Sequence, residues 1–299
     1  MSVSPVSRSV PPEIVTRHFD PVLKPDLAPL YAAREARLNA LAADHPAGDY
    51  LRFVADVTHA QAELLDQVSA GSTDPATAAS EPGWLDLLDR LMTALKASAP
   101  AAVAPHFDAI AAMDRAARQA AGVALATGRF TQVDAAIAPI LWAALSEQMA
   151  VSVRAEGAAL LPHAGPHDGG FCPVCGTAPV ASMVYGGMEM RGLRYLHCAL
   201  CECEWHVVRA VCSNCGDGKD VEYLSFDTAE AVVRAECCDH CHGYLKIVSA
   251  ERERTAEAVA DDLATLDLDD AVANEEYRRT GFNPWALPRE DSAGPERVN

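Results

Sequence analysis

The first 171 residues contain no cysteine, and neither do the last 58; all ten lie between Cys172 and Cys241. Aromatic residues make up only 6% of the 299, and basic residues are scarce, with 24 Lys+Arg against 42 Asp+Glu and a formal net charge of −18. Non-specific binding to DNA or RNA is driven by basic side chains that displace phosphate counterions, so this balance opposes it, and it opposes attraction to anionic membrane surfaces for the same reason. Long apolar runs are missing too. Ala135–Leu145, between Asp134 and Glu147, falls far short of the roughly 20 residues that cross a bilayer. The opening MSVSPVSRSVPPEIVTRHFD has no apolar stretch of the ~7–15 residues a secretory signal needs, so the expectation is a cytoplasmic protein without membrane insertion. What remains is ordinary for a folded protein: 50% hydrophobic, 22% charged, mean hydropathy +0.01.

The first 160 residues read as helices. Apolar side chains recur at helical spacing through Tyr50, Phe53, Val54, Val57, Leu64 and Leu65, through Trp84, Leu87, Leu88, Leu91, Met92 and Leu95, and through Val133, Ile137, Leu141, Leu145 and Met149. Punctuation residues cluster at Gly71–Gly83 and at Pro162–Gly170, and the second cluster reads as an interdomain linker. Beyond it the helical period gives way to short β-type runs, Val180–Tyr185 and Trp205–Val211. A helical pattern returns over Ala250–Glu276, with Val259, Leu263, Leu266 and Leu268 as its apolar positions and the others heavily acidic. The expected organisation is an α+β multi-domain chain: a helical domain over 1–165, two tandem tetracysteine ribbons over 166–208 and 209–249, and a C-terminal helix and tail over 250–299.

Four CxxC pairs carry the chemistry: Cys172/Cys175, Cys198/Cys201, Cys212/Cys215 and Cys238/Cys241. The first and third pairs are 40 residues apart, as are the second and fourth, and Gly176/Gly216, Arg194/Arg234, Val207/Ile247 and Val208/Val248 match in the same frame. This is a tandem repeat. A CxxC turn points two thiolates at one ion and a second turn further along completes a tetrahedron, so two repeats predict two metal ions, each held by four cysteines. A reducing cytosol, which disfavours a disulfide framework, points the same way. Each half is too small for a large core, and metal binding would supply much of its folding free energy. Four thiolates on a divalent ion leave a net charge of −2, which N–H donors, and Arg191, Arg194, Arg234 or Lys246, could offset; taken singly, each of these basic residues reads as solvated surface. Cys203 and Cys237 have no counterpart in the repeat and read as small buried residues. His197, His206, His240 and His242 stay outside the ligand sets because cysteine fills them. Sulfur tetrahedra suit zinc and also iron in a rubredoxin-like site, and spacing does not choose between them.

The runs GLRYLHCALCECEWHVVRAVCSNC (Gly192–Cys215) and AECCDHCHGYLKIV (Ala235–Val248), the opening CPVCGTAPVAS, and the flanks LYAAREARLNALAADHPAGDYLRFVADVTHAQ and EEYRRTGFNPW resemble the formate dehydrogenase accessory protein FdhE family over nearly the whole chain. The resemblance implies a cytoplasmic, non-enzymatic factor for assembly of active respiratory formate dehydrogenase, acting on the catalytic subunit before export. It also implies rubredoxin-like metal binding, with iron favoured, at Cys172, Cys175, Cys198, Cys201, Cys212, Cys215, Cys238 and Cys241. Cys203 departs from the family, which usually places Ser or Thr before the Glu-Trp. Two other readings stand beside it: a redox protein using iron or the Cys201–Cys203 thiols, and a nucleic-acid-binding ribbon, which the charge opposes. No heptad argues for a dimer, although self-association through the helical part is allowed.

Overall fold

The computed structural model describes residues 19–96, 99–156, 170–187, 190, 192–226 and 230–288. A short strand, β1 (Val22–Leu23), leads into seven helices: α1 (Leu27–Leu41), α2 (Gly48–Leu64), α3 (Pro75–Ser80), α4 (Gly83–Leu95), α5 (Ala104–Ala112), α6 (Arg115–Ala126) and α7 (Ala138–Ala155). Asp74 and Asp114 cap α3 and α6, their carboxylates accepting from Thr77 N at 2.8 Å and Ala117 N at 2.7 Å. The break expected at Gly71–Gly83 therefore contains one short helix. α7 is mostly apolar, and from Ile140 to Ala150 it is buried on every side, which makes it the central post of this region. Val133 lies before it in a tight turn, where Asp134 accepts from Ala136 N at 2.8 Å, so the helical pattern begins later than its spacing suggests. Gly122 on α6 lies flat against Trp84, and a Cβ there would come 2.3 Å from the indole.

The rest of the chain builds one sheet from β2 (Pro179–Val184), β3 (Arg194–Cys198), β4 (Glu204–His206), β5 (Val221–Leu224), β6 (Val233–Cys238) and β7 (Gly243–Ser249), followed by α8 (Ala258–Leu263), α9 (Leu266–Asn274) and β8 (Arg278–Arg279). Each 40-residue repeat contributes three antiparallel strands, β2–β3–β4 and β5–β6–β7. The repeats join where β2 runs parallel to β7, pairing Ser182 with Ile247 and Val184 with Ser249. β1 closes one end of the sheet against β4, and β8 pairs with β7. The predicted run Trp205–Val211 is shorter than expected, because the chain leaves the sheet after His206.

The single helix expected over Ala250–Glu276 is broken. Lys246 on β7 inserts its ammonium between α8 and α9, donating to Asp262 O at 2.7 Å, Thr265 O at 3.1 Å and the Asp269 carboxylate at 2.7 Å. A cation at the carbonyls of a helix C-terminus stabilises a helix end there. The acidic residues do not all face solvent either. Asp261 and Asp262 are buried, Asp261 against Arg37 at 2.6 Å and Asp262 against Arg279 at 2.6 Å and Lys246 at 3.1 Å.

Candidate metal centres

In each repeat the first CxxC lies in a tight turn before the sheet, and the second lies at the tip of a hairpin. The turns repeat in detail. Gly176 N donates to Cys172 O at 2.8 Å and Cys172 N to Thr177 O at 2.9 Å; forty residues on, Gly216 N donates to Cys212 O at 2.9 Å and Cys212 N to Asp217 O at 2.7 Å. Gly176 and Gly216 have φ of 74° and 79°, a left-handed geometry that glycine adopts without a Cβ clash. The hairpin turns end the same way, but on side-chain-bearing residues: Glu202 at φ 59° and His242 at φ 52°.

These turns bring the eight predicted ligands into two groups, Cys172–Cys175–Cys198–Cys201 and Cys212–Cys215–Cys238–Cys241, with all sulfurs in a group within 4.8 Å of one another. Cys172 and Cys201 are 3.6 Å apart, Cys175 and Cys198 3.5 Å, Cys212 and Cys241 3.8 Å, and Cys215 and Cys238 3.7 Å. A tetrahedron with metal–sulfur bonds of about 2.3 Å has edges of about 3.8 Å, so both groups have the size that four thiolates take around one ion. N–H groups already point at the sulfurs: Leu200 N and Cys201 N lie 3.4 Å from Cys198 Sγ, and Asn214 Nδ2 lies 3.6 Å from Cys241 Sγ. Four thiols this close do not ionise together without a cation. Burial pushes Cys172 and Cys198 up, while hydrogen bonds from Cys172, Cys198 and Cys201 hold Cys175 well below its ordinary value. Both clusters could hold metal ions, and the sulfur geometry is common to zinc and iron.

Their surroundings differ. All four sulfur residues of the first group are buried, whereas Cys215 and Cys241 of the second are partly exposed. α7 makes the difference. Trp142 Nε1 donates to Ala199 O at 2.9 Å and Ser146 Oγ to Leu200 O at 2.7 Å, covering the two residues between Cys198 and Cys201. Their counterparts Asp239 and His240 are exposed.

A buried ionic network locks the same turn from the other side. Arg34 on α1 donates to both oxygens of Glu202, at 2.9 and 2.7 Å, and through Nε to Glu257 at 3.0 Å, ahead of α8. His197 donates from Nε2 to Glu202 at 2.6 Å and from Nδ1 to Glu204 at 3.1 Å, and the Tyr185 hydroxyl donates to Glu204 at 2.6 Å. Burial works against the charge on Glu202, but Arg34 and His197 outweigh it and hold the carboxyl down at about 2. Burial likewise opposes the imidazolium, yet the bonds to Glu202 and Glu204 hold His197 up at about 10.

The sequence left His197 outside the ligand sets, and the structure puts it in this network. It does not read Glu202 or Arg34, which stand 168 residues apart. Arg194 and Lys246 are not solvated surface. Arg194 is 1% exposed, with Glu236 at 2.6 Å, and Lys246 is fully buried, because each neutralises a carboxylate inside the fold rather than a sulfur. Arg234 stacks on Tyr223 at 4.8 Å, and Arg191 lies outside the described residues. Cys203 and Cys237 are fully buried and join neither group, and Tyr195 and Trp205 are core.

Comparison with known proteins agrees with this architecture. Family models described as FdhE N-terminal, FdhE central domain and FdhE C-terminal domain match residues 19–163, 171–209 and 210–286. The chain is 39% identical over 288 residues to the FdhE homolog of Pectobacterium carotovorum subsp. carotovorum (strain PC1), covering 91% of this chain and 92% of that one. It is 41% identical over 293 residues to the FdhE homolog of Klebsiella pneumoniae (strain 342), covering 90% and 92%. The crystal structure of the FdhE protein from Pseudomonas aeruginosa superposes with a TM-score of 0.80 at 36% identity, covering 90% of this chain and 99% of that one. With four-cysteine groups at the ends of a duplicated ribbon and relatives along almost its whole length, the chain belongs to the FdhE family.

Proposed function

We propose that this protein is a cytoplasmic accessory factor for respiratory formate dehydrogenase, binding the catalytic subunit before export and holding two metal ions at Cys172, Cys175, Cys198, Cys201 and at Cys212, Cys215, Cys238, Cys241. One observation carries the reading beyond family membership: each group of four sulfurs closes on itself. A catalytic zinc keeps a coordination position open for water, whereas a closed four-thiolate site is structural or passes electrons. Metal bound in the first group would tie the sheet to α7 and to the Arg34 network, so the ion would set how the helical region sits on the ribbons. Iron is the metal that the family resemblance favours. No helix among the described residues is long and apolar enough to cross a membrane.

The test is complementation of cells lacking their own factor. The parent chain restores formate dehydrogenase activity and co-purifies with the catalytic subunit; Cys172→Ser with Cys175→Ser does neither. Full activity from that variant, or a parent chain that never associates with the subunit, would overturn the reading. Partial exposure of Cys215 and Cys241 favours a second reading, a redox role at the second group. A visible thiolate-to-iron absorption that bleaches reversibly on reduction supports it, and a colourless zinc protein ends it.

A further inference from the structure

β2 and β5 are the corresponding first strands of the two repeats, so the chain carries the same sheet edge twice. At β2 the edge is filled. β7 runs parallel to it, and at its start Phe282 N donates to Pro179 O at 3.0 Å while the Arg279 side chain, from β8, donates through Nη2 to Val180 O at 3.2 Å. Gly281 passes so close that a Cβ would lie 2.2 Å from Pro179 O. Arg279 is held there by Asp262 and Asp269, at 2.6 and 3.0 Å. The strand paired along this edge is thus β7, with the Arg279–Phe282 segment covering only its start.

β5 ends the sheet, and no strand pairs beyond it among the described residues. Between β5 and α9 lies a groove of about 420 Å³, lined by Glu222, Leu224, Phe226, Leu268, Val272 and Glu275 among others. Phe226 is 58% exposed and Tyr223, on the opposite face of the strand, 41%. An open edge flanked by exposed aromatics invites pairing with another chain.

We propose that the β5 edge and its groove bind an extended segment of the client protein that carries apolar side chains and at least one arginine or lysine, pairing with β5 as β7 pairs with β2. Main-chain hydrogen bonds give such an added strand its affinity, and alternate side chains give it specificity. Apolar side chains fill the space over Leu224, Leu268 and Val272 beside Phe226, and a cation meets Glu222 and Glu275. The Tyr277 hydroxyl sits between the Asp239 and Glu222 carboxylates and can donate its one proton to either, which places Glu222 at the rim of the groove. A second copy is a poor occupant, because two-fold pairing of β5 sets the two Glu222 carboxylates in one interface on a chain of net charge −18. The described ends of the chain lie elsewhere: Phe19 packs on His206 beside β4, at the other end of the sheet, and Trp285 O accepts from Tyr50 on α2.

The inference rests on the accessory-factor reading, and its test separates the two. Purified full-length chain is titrated calorimetrically with purified formate dehydrogenase catalytic subunit, using the parent, Phe226→Ser, and the pair Glu222→Lys with Glu275→Lys. All three positions are exposed, so circular dichroism and metal content stay as in the parent. Each variant is expected to bind about ten-fold or more weakly, with a reduced salt dependence for the charge-reversed pair. A photo-crosslinker placed at Phe226 attaches to a client segment containing a basic residue. Parent-like affinity in both variants, or a crosslink to a segment without basic residues, overturns the inference and leaves the accessory role standing. A parent dimer dissociated by the same changes makes a second copy the occupant and overturns it too. No binding by the parent overturns the accessory role and the inference together.

Discussion

Arg34, on the first helix, grips both oxygens of Glu202, the residue that follows Cys201, at 2.9 and 2.7 Å. Glu202 holds a left-handed backbone without being glycine, a conformation that costs about 1–2 kcal/mol. The ion pair offsets that strain and joins α1, the first sulfur group and the start of α8 through Glu257.

Removing one partner of a buried ion pair leaves the other charge uncompensated, at a cost of about 3–5 kcal/mol. Arg34→Met is therefore expected to lower unfolding stability by that amount in a denaturant titration. Arg34→Lys recovers only part of it, because an ammonium cannot fork across both carboxylate oxygens. A loss below about 1 kcal/mol for Arg34→Met would mean that His197 alone satisfies Glu202.

The covering of Ala199 O and Leu200 O by Trp142 and Ser146 makes a second prediction. Trp142→Phe and Ser146→Ala each remove one buried hydrogen bond, worth about 1–3 kcal/mol once the carbonyl is left unpaired. In the double variant one of the two bound metal ions passes to a chelator faster than in the parent, and the other at an unchanged rate. Unchanged release of both ions would show that α7 does not seal the first group.

Glu147 on α7 is fully buried, and neither carboxyl oxygen has a hydrogen-bond partner among the described residues. Burial raises its pKa from 4.5 to about 9. The folded carboxyl stays protonated while the unfolded one ionises above about 4.5, so between these values the folded state binds more protons. Stability must fall as pH rises from about 4.5 to about 9, with a slope approaching 1.4 kcal/mol per pH unit, roughly the free energy of one pKa unit. Glu147→Gln removes this contribution and is expected to be the more stable protein at pH 8. Parallel pH–stability curves for parent and variant would contradict the assignment.

The eight sulfurs were legible in the sequence because a metal quartet needs two short CxxC turns and little else, and the repeat supplied the pairing. The helices were legible where a single face is buried, as in α4. The α8–α9 break was not, since it depends on Lys246 arriving from a strand of the second ribbon to bind the carbonyls at the junction. Nor was the burial of Asp261 and Asp262 legible, because their partners Arg37, Arg279 and Lys246 come from other elements of the fold. Neither was the parallel join of β2 to β7, which no local pattern encodes. Burial of the first group follows from α7, whose side chains meet Ala199 and Leu200 only in three dimensions.

Native mass spectrometry of the full chain, combined with a count of reactive thiols, tests the central claim most directly. The account predicts two metal ions per chain, one ion after Cys172→Ser with Cys175→Ser, and one ion after Cys212→Ser with Cys215→Ser. A parent chain that carries no ion, or whose eight paired cysteines are linked as disulfides, would contradict it.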